Sequence, residues 1–108
     1  MAQFDVHRNK GSQKDNIPFV VVIQSARFDA YRRRVVAPLV LRRHVPDASL
    51  FGSRMNPVFN IGGVEVVLHP LQIVSVATDQ LGAVVASLAD CGQQITDAID
   101  ELMTRAWG

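Results

Sequence analysis

The sequence predicts a mainly β protein: several antiparallel strands followed by one C-terminal α-helix. Three observations carry this. The apolar residues fall into short runs rich in β-branched side chains, separated by turn signals. Gly62-Gly63 sits between two such runs, as the turn of a hairpin would. Helical periodicity is confined to the segment from Ile95 onward. The 108 residues suit one domain spanning 1–108, and 48% hydrophobic with 19% charged residues excludes a disordered chain.

In chain order, Phe4 and Val6 alternate with Gln3, Asp5 and His7, a brief first strand. Arg8 to Asn16 is polar and contains glycine, which reads as a loop. Pro18 to Ser25 is the best strand; its unbroken apolar run predicts burial on both faces and a central position. A third strand, Arg34-Val35-Val36-Ala37, is expected to close at Pro38-Leu39. Residues Val40 to Met55 read as irregular, with Arg42-Arg43-His44 exposed.

The hairpin of Asn56 to His69 is predicted down to its register. A two-residue turn at Gly62-Gly63 pairs Ile61 with Val64, Asn60 with Glu65, Phe59 with Val66 and Val58 with Val67. Leu71 to Val76 and Leu81 to Leu88 are further apolar segments, the second readable as strand or short helix. Asp79-Gln80 and Gly82 mark a bend between them. Ile95, Ala98, Ile99, Leu102, Met103 and Ala106 form one helical stripe, with Asp90 and Gln93 as a candidate capping pair and Glu101–Arg105 as an i,i+4 pair.

Eleven basic and ten acidic residues give a net charge of +1, so no strong field draws the chain to nucleic acid or anionic lipid. Cys91 is the only cysteine, which excludes an internal disulfide and suits a reducing cytoplasm. No secretory signal and no bilayer-length apolar run is read; the expectation is a soluble cytoplasmic domain without membrane contact.

Motifs for chemistry are sparse. His7, His44 and His69 have no ligand-like spacing with one another or with Cys91, so no metal site and no cofactor is expected; they read as surface or strand-edge histidines. Ser25 and Ser75 lack a nucleophile elbow, phosphate-loop glycines are missing, and no catalytic residue is assigned. The concentrated feature is Arg32-Arg33-Arg34, with Arg27 and Arg42-Arg43. Strand alternation puts Arg32 and Arg34 on one face and Arg33 on the other. These are either solvated strand ends or contacts for an acidic partner. No aromatic platform is read beside them, which argues against single-stranded nucleic acid. Trp107, next to Gly108, either packs on the sheet or a second subunit or anchors a protein contact.

Taken in order, these segments resemble the CcdB toxins of toxin–antitoxin modules. Gln3-Phe4-Asp5-Val6 and Pro18 to Ser25 are similar to that family's opening and its F-V-x-V-Q-S strand. Arg33 to Leu39 resembles R-[RL]-x-V-[IA]-P-L, and Asn56 to Ile61 the strand before the hairpin. Ile73 to Val76 is similar to [MA]-x-S-V; Ile95 to Asp100 with the Trp107-Gly108 end resembles the family's last helix and tail.

The resemblance implies a small SH3-like barrel of CcdB/MazF type with a C-terminal helix, acting as a homodimer. It implies a non-enzymatic poison that binds the DNA gyrase A subunit and traps its cleaved-DNA complex. A CcdA-type antitoxin is the implied neutralising partner, with operator DNA met only through the toxin–antitoxin complex. Carried over residue by residue, the gyrase contact falls on Trp107 and Gly108, on Ala106 where a larger apolar residue is usual, and on Arg27-Phe28. Arg27 is charged where the family has an apolar residue, and the family's closing isoleucine is missing. Two alternatives stand beside this reading: a ribonuclease toxin of the MazF/Kid type, which shares the barrel, and a non-toxic relative acting as a dimeric binding module.

Overall fold

The structure, a computed structural model, describes residues 2–11, 13–45 and 53–104. Seven strands and one helix follow in the order β1 (Asp5–Asn9), β2 (Phe19–Val22), β3 (Arg33–Leu41), β4 (Val58–Ile61), β5 (Val64–Leu68), β6 (Val74–Ala77), β7 (Leu81–Ser87) and α1 (Gly92–Thr104). The strands form one curled antiparallel sheet ordered β4-β5-β3-β2-β1-β7, with β6 also on β3. Antiparallel strands followed by one C-terminal helix are as the sequence predicts, and the sheet curls into a half-barrel, in keeping with the small barrel the resemblance implies.

The central position of β2 follows from its composition. All four of its residues are buried, and β1 and β3 flank it. Val6, Val21, Ala37 and Leu39 point to one face, where they meet Phe59, Leu68 and the helix residues Ile95 and Ala98. The opposite face carries a smaller cluster of Val20, Val22 and Val36, partly covered by Val76 and Leu81. Ile95 is fully buried, so truncating it to alanine costs about 2–5 kcal/mol. Met103, expected on the helix's apolar stripe, is 68% exposed.

The β4–β5 hairpin has the predicted register at all four pairs. Gly62 and Gly63 have φ of 58° and 89°, the left-handed values a tight hairpin turn needs. Asn60 Oδ1 caps the turn by accepting from the Gly63 N–H at 2.8 Å.

Other boundaries differ from the sequence reading. Strand β1 starts after Phe4, whose φ is +69°, and it runs on through Arg8 and Asn9. Strand β2 is shorter than Pro18 to Ser25. Strand β3 does not stop at Pro38 but continues to Leu41. The reason lies in its partners: one edge of β3 pairs β6 through Val36 and β5 from Leu39, so Pro38 falls at the change of partner. Its carbonyl accepts from the His69 N–H at 3.1 Å on that edge, and the ring nitrogen's missing donor faces the same gap.

Of the segment 81–88, residues 81–87 form a strand, with Gly82 inside β7 rather than in the bend; the bend is the 3-10 turn Thr78–Gln80. The Asp90–Gln93 capping pair does not form. A 3-10 turn, Ala89–Cys91, precedes the helix, Ser87 Oγ accepts the Ala89 N–H, and Gln93 donates to Asp97 instead. Glu101 pairs with Arg54 at 3.3 Å, while Arg105 lies outside the described residues.

Candidate functional site

The loop joining β2 to β3, with the start of β3, holds Arg27 and Arg32 to Arg34; Arg42 and Arg43 lie in an exposed 3-10 turn at the far end of β3. Ser25 opens a 3-10 turn over Ala26–Phe28, its Oγ accepting from the Arg27 N–H at 3.3 Å. Further turns follow: Asp29 N–H donates to the Ala26 carbonyl at 3.1 Å and Tyr31 N–H to the Phe28 carbonyl at 3.0 Å. Gln24 bridges the loop's two ends, its Nε2 donating to the Phe28 carbonyl at 3.2 Å while its Oε1 accepts from Val35 N–H at 3.1 Å.

Arg34 lies beneath. Only 5% exposed, it donates to the Asp29 carbonyl at 2.8 Å, the Arg33 carbonyl at 3.0 Å and the Tyr31 carbonyl. Its Nε stands 3.6 Å from the Asp29 carboxylate. A planar guanidinium can serve several carbonyls of one loop at once, which an ammonium group cannot match. This corrects the expectation that Arg32 and Arg34 share one face of the strand. Arg32 precedes β3 and is exposed, Arg33 is exposed, and Arg34 alone turns inward.

What the loop holds out is aromatic. Phe28 is 56% and Tyr31 66% exposed, with the Arg27 guanidinium 5.9 Å from the centre of the Phe28 ring. Gln24, Arg27, Phe28, Ala30, Tyr31 and Val35 line an open hollow of about 510 Å³. The reading that no aromatic platform accompanies the arginines is thus overturned. Sequence reasoning missed Tyr31, although an aromatic residue beside three successive arginines was a visible signal.

Of the residues carried over from the resemblance, Arg27 and Phe28 stand together here. Ala106, Trp107 and Gly108 lie outside the described residues. The histidines are not a set, but His7 departs from a surface role. It is 2% exposed, and its Nδ1 is 2.9 Å from the Gly82 carbonyl across the β1–β7 pairing. Ser75 accepts from Arg33 Nε at 3.0 Å, an ordinary cross-strand tie. Among the described residues no three His, Cys, Asp or Glu side chains group as a metal site would require. No helix among them is long and apolar enough to cross a membrane.

A curled sheet carrying one helix, with an exposed aromatic–arginine loop between β2 and β3, defines a small, mainly β protein. A family model described as CcdB protein matches residues 3–105, nearly the whole chain. The chain belongs to the CcdB family, toxins of toxin–antitoxin modules. A comparison with curated proteins gives no match.

Proposed function

We propose that this chain is a toxin that binds the DNA gyrase A subunit and traps the gyrase–DNA cleavage complex, without covalent chemistry of its own. The observation that carries the reading is the family match over residues 3–105. The exposed Arg27–Phe28 pair on an ordered loop supports it, since a contact surface must be held out rather than packed in. The tail residues Ala106, Trp107 and Gly108 supply the other part of the contact. The whole chain, 1–108, acts as one toxin domain in the cytoplasm, neutralised by a CcdA-type antitoxin and reaching operator DNA only in complex with it.

The working form is a homodimer. Val74 and Val84 are 51% and 54% exposed, and strand pairing puts both on the sheet face opposite the helix, with Val20, Val22 and Val36. The two exposed valines beside this buried cluster suit a two-fold contact with a second copy.

The test is incubation of the purified protein with gyrase and supercoiled plasmid. Accumulation of protein-linked cleaved DNA is the expected result. Cleavage of RNA by the protein alone, with no effect on gyrase, would overturn it in favour of a ribonuclease toxin.

A further inference from the structure

We propose that Arg34 is the positioning residue of a docking platform formed by residues 24–32, and that the platform takes an acidic protein segment bearing an apolar side chain. The proposal deepens the functional reading above and rests on it only for the identity of the natural partner.

The platform shows a mismatch between its backbone and its side chains. The carbonyls of Ser25, Ala26, Phe28, Asp29 and Tyr31 all accept hydrogen bonds from within the loop or from Arg34. A loop tied this thoroughly would ordinarily be fastening its side chains into a core. Here the two large apolar groups, Phe28 and Tyr31, point outward instead. Burying a guanidinium to order such a loop stabilises no apolar packing of the loop itself. It does remove the ordering cost that a partner would otherwise meet on binding. Aromatic rings on a fixed backbone lose little further freedom in a contact.

Charge selects the occupant. The segment from Gln24 to Val35 holds four arginines and one aspartate. That aspartate faces the buried Arg34. Arg33 is held by the neutral oxygens of Ser75, its Nε on the hydroxyl at 3.0 Å and a terminal nitrogen on the carbonyl at 2.6 Å, so its charge is positioned but not cancelled. Arg27 and Arg32 have no ion pair among the described residues. Arg27 lines the apolar hollow itself, and Arg32 and Arg33 follow on the adjoining stretch beside Ala77–Asp79, so an apolar side chain in the hollow with carboxylates to either side fits the net positive charge of this segment.

The experiment is a titration of the full chain, followed by amide signals, with a short synthetic peptide carrying one tryptophan flanked by aspartates. Shifts confined to residues 24–35 are expected, with binding that weakens as salt rises. Tyr31→Ala and Arg32→Glu should each weaken binding by about tenfold or more with unchanged melting temperature. Arg34→Lys keeps the charge but cannot reach three carbonyls. It should speed hydrogen exchange at residues 26–31 and weaken the peptide about tenfold, while exchange in β1 and β2 stays as in the wild type. The proposal fails if the peptide leaves these signals unmoved, if a lysine-flanked peptide binds equally well, or if a thymidine oligonucleotide binds more tightly. It fails for Arg34 if the lysine variant binds normally. Gyrase enters separately. A chain that takes the peptide in this way yet traps no cleavage complexes defeats the gyrase reading and leaves the platform standing. Trapping that is undiminished in Tyr31→Ala and Arg34→Lys overturns gyrase as the platform's natural partner and leaves the gyrase reading itself.

Discussion

Phe4 lies so close over Gly92 that a Cβ built there would stand 2.6 Å from the ring's Cε2. Phe4 also holds φ at +69°, unusual for a bulky residue, while its N–H donates to Val22 and its carbonyl accepts from Leu88. One residue thus ties the ends of β2 and β7 to the start of α1. Gly92→Ala must push the ring or the helix aside and is expected to destabilise the protein by about 1–3 kcal/mol. Urea unfolding measures this; an unchanged midpoint would show that the ring moves freely.

Replacing both Gly62 and Gly63 with valine tests the hairpin turn. Each valine would occupy the left-handed region at a cost of about 1–2 kcal/mol, so the pair should lose about 2–4 kcal/mol. Asn60→Ala, which removes only the side-chain acceptor for Gly63, should cost less. Thermal melts of the two variants give the ranking directly.

The hairpin was legible because its information is local: a two-residue turn fixes every pair beyond it. The burial of β2 was legible for a similar reason, since an all-apolar run needs cover on both faces. Pro38 misled because its effect depends on which strand lies opposite, and β3 has two different neighbours on that edge. Arg34 was hidden by its companions. Three arginines in a row look alike, and the carbonyls that draw the third inward belong to a loop whose shape composition does not reveal. Arg27 and Phe28 were named through resemblance, whereas Tyr31 emerged only once the loop's path set it beside them.

The proposed self-association across the outer sheet face makes Val84 the informative position. A carboxylate there meets its own two-fold mate or an apolar neighbour and has no partner to neutralise it. Val84→Asp should sediment as a monomer at micromolar concentration where the wild type sediments as a dimer. Because Val84 is 54% exposed, the substitution should leave the secondary structure seen by circular dichroism intact.

Trp107→Ala separates two roles for the tail. As a gyrase anchor, the indole's loss should abolish cleavage-complex formation with an unchanged melting temperature and undiminished antitoxin binding. As a packed residue, its loss should lower stability by about 3–5 kcal/mol. Calorimetry and the cleavage assay on this single variant decide between them.

The pairing of β1 with β7 joins Asp5 to Ser87 and Asn9 to Leu81, so the earliest strand of the chain waits for the latest. Such distant pairings make folding slow relative to helical proteins of the same size. During synthesis β1 can find β2 early, but its other edge stays open until β7 has been made. Until residues 81–87 have been made, that edge of β1 presents unpaired backbone donors and acceptors to whatever strand comes near.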